Sequence, residues 1–276
     1  MTPSEIKSVL ARFGSGANKR LGQHFLIDPS VLEAMLDAAR IEPGNRVIEI
    51  GPGLGVLTER LYAQGARVIA IERDRRFIEY LRGKMPEDRV SIRQADASRI
   101  DWADMVGAEP WKFVSNLPYA ITSLALRKAL YHPSPPQEIA VLVQREVAER
   151  AVARDGKTSL LSLMVALASS EAKIIRRVPP GAFFPPPKVE SAVLKLTPLS
   201  PEARLETWGI EPERVMEVAR VGFSHPRKKL VSNLKTFIET HTLLKRPSIF
   251  EKNEHIRAEA LSPDDWVTLV RELYQG

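Results

Sequence analysis

Four short stretches of this 276-residue chain carry side chains whose types and spacing can do chemistry. The first is Glu49-Ile50-Gly51-Pro52-Gly53-Leu54-Gly55, where a β-branched run ends in an acid and glycines then fall at alternate positions. A glycine turn between a strand and a helix brings backbone close to a ligand, because no Cβ obstructs it. The second and third are single acids, Glu72 and Asp96, each closing a later apolar run. A carboxylate about twenty residues beyond such a turn can accept hydrogen bonds from both hydroxyls of a ribose. One at the end of the following strand can accept from an adenine amino group. The fourth is Asn116-Leu117-Pro118-Tyr119. The exocyclic N6 of adenine is a poor nucleophile, since its lone pair is delocalised into the ring. The Asn116 side-chain oxygen and the Leu117 carbonyl can each accept one N6 hydrogen, favouring a more tetrahedral nitrogen whose lone pair points at a methyl donor. Pro118 lacks an N–H and stiffens the turn. Tyr119 offers a face on which a base stacks, worth about 1–3 kcal/mol. No strong base is required, because the amine proton becomes acidic once the new N–C bond forms.

The pattern around these residues alternates strand and helix. Apolar runs predict strands over 46–50, 67–72, 89–93, 113–116 and 139–143, with two more over 172–178 and 192–196. Helical spacing falls over 54–64, 74–84, 121–131, 145–154 and 158–169. Such alternation implies an α/β fold with a mainly parallel sheet covered on both faces, and ligands then sit at the carboxyl ends of the strands. Glu49, Glu72, Asp96 and Asn116 all fall there. Beyond Pro198 the pattern is helical over 215–221, 230–238, 249–257 and 266–274. The expected organisation is a sheet domain over 1–200 and a small all-α domain over 201–276. Residues 1–20, with Lys7, Arg12, Lys19 and Arg20 among small residues, are expected to form a basic, loosely ordered arm. Asp28-Pro29 reads as a helix start. Two loops stand out: Gly22-Gln23-His24-Phe25-Leu26, and the aromatic and proline run from Phe183 to Ser191, where either phenylalanine can stack on a flipped base.

Composition narrows the function classes. The chain has no cysteine, which removes disulfides, thiolate metal sites and thiol nucleophiles, and no metal site is expected. The net charge is +6, yet acids and bases balance from Pro201 onward, so the surplus lies upstream. A basic surplus favours a nucleic-acid partner. No apolar run is long enough to cross a bilayer, and charges interrupt the first dozen residues; a cytoplasmic protein without membrane contact is expected.

Taken together, these motifs resemble the ribosomal RNA adenine N6,N6-dimethyltransferase family, in its bacterial small-subunit form. The resemblance runs from about Lys19 to the C-terminus. It rests on Lys19-x-x-Gly22-Gln23-His24-Phe25-Leu26, the Glu49 to Gly55 turn, Glu72, Asp96, Asn116 to Tyr119, and Phe183-x-Pro185-x-Pro187-x-Val189-x-Ser191. It implies a Rossmann-like class I methyltransferase sheet of seven mostly parallel strands and a helical C-terminal domain. It implies S-adenosylmethionine as the methyl donor. Two adjacent adenosines near the 3′ end of small-subunit (16S) ribosomal RNA are the implied substrate, each receiving two methyl groups on a pre-30S particle during subunit biogenesis. By resemblance His24 and Leu26 close over the cofactor, Glu49, Gly51 and Gly53 belong to its methionine end, Glu72 to the ribose and Asp96 to the adenine. Asn116 serves both cofactor and target amine, Leu117 and Pro118 shape the catalytic turn, and Tyr119 and Phe183 sandwich the target base. Many relatives carry Asn at the position of His24, and consecutive arginines where this chain has Pro226-Arg227-Lys228. A monomer is expected. The alternatives are a large-subunit methyltransferase of the macrolide-resistance type and an assembly factor with secondary methylation activity. Gly-Pro-Gly-Leu-Gly and Asn-Leu-Pro-Tyr favour the small-subunit form.

Overall fold

The computed structural model describes residues 1–13, 24–107, 109–153, 158–240 and 247–274. The chain divides into two compact units, Met1–Ala148 with Glu171–Pro198, and Glu149–Ser170 with Leu199–Gly276. The expected boundary at residue 200 differs from this division by Glu149–Ser170. Two helices, Arg145–Val152 and Leu160–Ala168, come after the fifth strand and read in sequence as further crossover helices.

In the first unit a short strand β1 (Phe25–Leu26) is followed by β2 (Arg46–Ile50), β3 (Arg67–Glu72), β4 (Val90–Gln94), β5 (Trp111–Asn116) and β6 (Ile139–Gln144). Then come β7 (Ser169–Val178), whose first residues belong to the second unit, β8 (Phe183–Phe184) and β9 (Ser191–Pro198). Among the described residues seven strands form one sheet in the order β4-β3-β2-β5-β6-β9-β7. Pairs β3–β4, β2–β3, β2–β5 and β5–β6 are parallel, and β9 runs antiparallel to β6. The central strands are buried along nearly their whole length, which is why they read as continuous apolar runs rather than alternating ones.

Strand order reverses between β2 and β5, the place where an open parallel sheet forms its crevice. The local reason is visible in the register. Ladder pairing between β2 and β5 covers Arg46 to Ile48 against Trp111 to Phe113 and goes no further. Beyond it the Ser115 hydroxyl bridges the gap, donating to the Ile50 carbonyl at 2.7 Å and lying 3.3 Å from the Ile50 N–H. A side chain thus satisfies backbone groups that the splayed strands leave unpaired.

Helix α1 (Pro3–Arg12) corrects the expectation of a loose arm over the first residues. Thr2 and Glu5 form a capping box, and Ile6, Val9 and Leu10 are buried. These three pack with Phe25, Leu54 and Phe77 in a small apolar cluster. Lys19 to Gln23 lie outside the described residues. Helix α2 (Pro29–Ala38) starts at Asp28, whose carboxylate accepts from the Ser30 N–H at 2.9 Å, as its Asp-Pro start predicts. Crossover helices α3 (Val56–Ala63), α4 (Arg75–Arg82) and α6 (Thr122–Leu130) follow β2, β3 and β5, with a short α5 (Ala103–Val106) after β4. Helix α7 (Arg145–Val152) follows β6 directly.

The second unit contains α8 (Leu160–Ala168), α9 (Pro201–Trp208), α10 (Pro212–Gly222), α11 (Leu230–Thr240), α12 (Ser248–Lys252) and α13 (Pro263–Tyr274). Helix α10 packs on α8, α11 and α13. Helix α9 falls where no helix was expected. Its start is marked by Ser200, which caps the Ala203 N–H at 3.1 Å, with proline in the first turn.

Candidate active site

The glycine turn gives the site its floor. Gly51, Gly53 and Gly55 take φ of +66°, +56° and +79°, so the chain coils through left-handed conformations between β2 and α3. Two of these positions are also tight. A Cβ on Gly51 would stand 3.1 Å from Pro118 Cγ, so the turn touches the Asn-Leu-Pro-Tyr loop without a side chain between them. A Cβ on Gly55 would stand 2.5 Å from Met85 Cε and 2.6 Å from Leu81 Cδ2.

A cavity of about 360 Å³ opens at this crevice, wholly within the first unit. Of the residues singled out from sequence, His24, Leu26, Glu49, Gly51, Glu72, Asp96, Asn116, Leu117, Pro118, Tyr119 and Phe183 line it. Gly53 does not. Its N–H donates instead to Glu72 Oε2 at 3.3 Å, so the turn helps to aim the next acid.

The three acids are held differently. Glu49 is 2% exposed and accepts one hydrogen bond, from the Thr58 hydroxyl at 2.7 Å. Burial pushes its carboxyl up to about 8, against the lowering effect of Thr58 and with a small rise from Glu72. Glu72 accepts from the Arg73 and Asp74 N–H groups at 2.7 and 2.8 Å, besides Gly53. Burial still raises its carboxyl above the usual range despite these donors. Asp96 is more open. The Ser98 hydroxyl and N–H, at 2.5 and 3.0 Å, hold its carboxyl below the usual value, helped by Arg73 and Arg99.

Asn116 ends β5, beside the end of β2, and lines the cavity. No described residue hydrogen-bonds to its side-chain amide or to the Leu117 carbonyl, while the Leu117 N–H is spent on the Leu142 carbonyl at 3.1 Å. Tyr119 begins a single 3₁₀ turn before α6. Its hydroxyl lies 3.2 Å from Ser191 Oγ, and its ring stacks on His24 with centroids 6.4 Å apart and planes 28° from parallel.

The two loops that stood apart in sequence form one structure. β1 and β8 pair antiparallel, Phe25 opposite Phe184 and Leu26 opposite Phe183. The Ile27 N–H extends the pairing to the Ala182 carbonyl at 2.8 Å, and His24 Nδ1 donates to the Pro185 carbonyl at 2.7 Å. Alternation sends Leu26 and Phe183 into the main core and Phe25 and Phe184 toward α1. Phe183 is only 3% exposed yet lines the cavity; Phe184 does not line it and lies instead under the Lys7 ammonium, 5.4 Å from the ring centroid. Phe25, quoted in its motif but given no role, and Phe77, not singled out at all, also line the cavity, and Ser115 supports its edge from below the lining. Phe77 carries the signal of an apolar helix stripe with Ile78 and Leu81, which points to core and not to a ligand wall. Ser115 carries none.

A mostly parallel sheet with its glycine turn and acids at the carboxyl ends of β2, β3 and β4, and an Asn without a partner among the described residues at the end of β5, defines a Rossmann-like class I methyltransferase. The chain belongs to the ribosomal RNA adenine dimethylase family, whose sequence pattern matches residues 14–274. It is 37% identical over 278 residues to the ribosomal RNA small subunit methyltransferase A of Dehalococcoides mccartyi, covering 97% of this chain and 93% of that one. The protein of the same name from Synechococcus sp. (strain JA-3-3Ab) is 37% identical over 261 residues, covering 91% of each. Among solved structures, a dimethyladenosine transferase from Plasmodium falciparum superposes with a TM-score of 0.75 at 25% identity, over 91% of this chain and 98% of that chain. The 23S rRNA methyltransferase ErmE shares the fold, with a TM-score of 0.65 at 24% identity over 90% of this chain and 99% of that chain.

Proposed function

We propose that this enzyme transfers methyl groups from S-adenosylmethionine to N6 of two adjacent adenosines near the 3′ end of small-subunit ribosomal RNA, two to each, on a pre-30S particle. The observation that carries the chemistry is the Asn116 amide and Leu117 carbonyl, both without a protein partner among the described residues, at the lip of the crevice. Near-full-length likeness to small-subunit methyltransferases supports the substrate.

The residues present fit the cofactor. Its sulfonium and ammonium are cations, and the cavity wall is acidic at Glu49, Glu72 and Asp96. Its backbone approach needs a wall without side chains, which the Gly51 turn supplies. When bound, S-adenosylmethionine supplies an electrophilic methyl group. Glu49 neutralises positive charge in a buried place, Glu72 accepts from the ribose hydroxyls, and Asp96 accepts from the cofactor adenine. Leu26 and the Gly51 turn flank the methionine end. Asn116 Oδ1 and the Leu117 carbonyl accept the two N6 hydrogens and turn the lone pair out of the ring plane. Pro118 fixes both acceptors. Tyr119 and Phe183 hold the base by its faces. The proton leaves to water after transfer, so no side chain has to act as a base.

Labelled S-adenosylmethionine offered in parallel to unmodified small-subunit particles, large-subunit RNA and DNA tests this reading. Label confined to small-subunit RNA is expected. Label in large-subunit RNA would replace the substrate, and particle binding without label anywhere would replace the reaction.

A further inference from the structure

His24 joins two parts of the site that are far apart in sequence. Its Nδ1 donates to the Pro185 carbonyl at 2.7 Å, a partner 161 residues away. That bond extends the β1–β8 ribbon, which holds Phe183 against Leu26. Its ring lies on Tyr119, whose hydroxyl is tied to the buried Ser191. A carbonyl only accepts, so Nδ1 carries the proton and the ring is held in one orientation by a single bond at one edge. Tyr119 is thereby held at its tip by Ser191 and on one face by His24. The ring that would cover one side of the target base and the strand that carries the other are linked through one imidazole.

We propose that His24 is a positioning residue for the aromatic clamp, and that it governs the second methyl transfer to each adenosine more than the first. This rests on the reaction proposed above. The unmethylated N6 has two hydrogens and can be held by both Asn116 and Leu117. After one transfer it has a single hydrogen, so one of the two acceptors is left without a donor. Orientation of the monomethylated base then depends more heavily on stacking. In that second step the N6 lone pair forms the new N–C bond, the methyl carbon's bond to the donor sulfur breaks with its electron pair left on sulfur, and the last N6 proton passes to water. A clamp that lets the ring tilt penalises this step first, since misplacement of about 1 Å can cost about 100-fold in rate.

The test is single-turnover and steady-state methylation of unmodified small-subunit particles by wild type, His24→Ala and His24→Asn. N6-methyladenosine and N6,N6-dimethyladenosine are resolved by mass spectrometry, and S-adenosylmethionine affinity is measured by calorimetry in parallel. Asn can still donate to the Pro185 carbonyl but has no ring. For His24→Ala we expect about a 10-fold or greater fall in the second rate constant, a much smaller fall in the first, and monomethyl product accumulating. Because His24 also lines the cofactor cavity, the two rate constants are compared at cofactor concentrations that the calorimetry shows to be saturating for each variant. His24→Asn should fall between the two. Equal loss of both transfers, or a wild-type ratio of products in His24→Ala, would overturn the proposal while leaving the reaction standing. Absence of any methyladenosine with wild type would overturn the reaction itself.

Discussion

At the scale of single residues, the acids of the cavity are set apart by burial, not by type. Glu49 has its carboxyl raised to about 8 in the folded chain, against an ordinary value of 4.5. Its contribution to stability is therefore present below the ordinary value and is lost as pH rises through about 8. Glutamine mimics the protonated form without titrating. Glu49→Gln should melt progressively higher than wild type as pH is raised from about 5 to about 8, as followed by calorimetry without cofactor. A gap between the two melting temperatures that stays constant would show that Glu49 is not raised. The same burial predicts that binding a cationic ligand draws a proton off Glu49, so affinity for S-adenosylmethionine should strengthen across that range in wild type and flatten in Glu49→Gln. Asn116 has no structural partner among the described residues, so Asn116→Ala should lose methyl transfer by more than 100-fold while its melting temperature changes little.

At the scale of elements, the crevice exists because two strands part. The Ser115 hydroxyl spans that parting, and Ser115→Ala leaves the Ile50 N–H and carbonyl without it. A loss of about 1–3 kcal/mol in urea unfolding is expected, together with weaker cofactor binding. Gly51→Ala adds both a left-handed backbone penalty and a Cβ against Pro118. Because Pro118 belongs to the turn proposed to hold the target amine, turnover should fall more than stability does. Ile6→Ala in α1 should cost about 2–5 kcal/mol, since Ile6 is fully buried against the cluster that contains Phe25 and Phe77.

These elements differ in how far they were legible. Arg46–Ile50 and Arg67–Glu72 could be bounded to the residue, because buried parallel strands bracketed by turn residues leave little choice. Glu72, Asp96 and Asn116 could be placed once those strands were known. Helix α1 was misread although Thr2-Pro3-Ser4-Glu5 and the spacing of Ile6, Val9 and Leu10 announce it; Lys7 and Arg12 drew attention to charge instead. The β1–β8 ribbon was not legible at all. Its two-residue strands carry no period, and its partners meet only through long-range packing. For the same reason His24 could be singled out as unusual but not connected to Pro185 or Tyr119.

At the scale of the molecule, the second unit carries a cluster of cations of its own. Arg227, Lys228 and Lys229 are exposed immediately before α11 in the second unit. Clustered cations there oppose the helix dipole, an arrangement that a bound phosphate would relieve. Replacing all three with Glu should raise the KM for particles and flatten the salt dependence of particle binding, leaving cofactor affinity in the first unit unchanged. Methyl transfer to N6 beside Asn116 is tested most directly by mass spectrometry of small-subunit RNA. Unmodified particles would be incubated with S-adenosylmethionine and either wild type or Asn116→Ala, and nuclease fragments from the 3′ end compared. The account predicts two adjacent N6,N6-dimethyladenosines with wild type and unmodified adenosines with Asn116→Ala bound to the same particles. Dimethylation by Asn116→Ala at the wild-type rate, or methyl groups placed elsewhere by wild type, would contradict it.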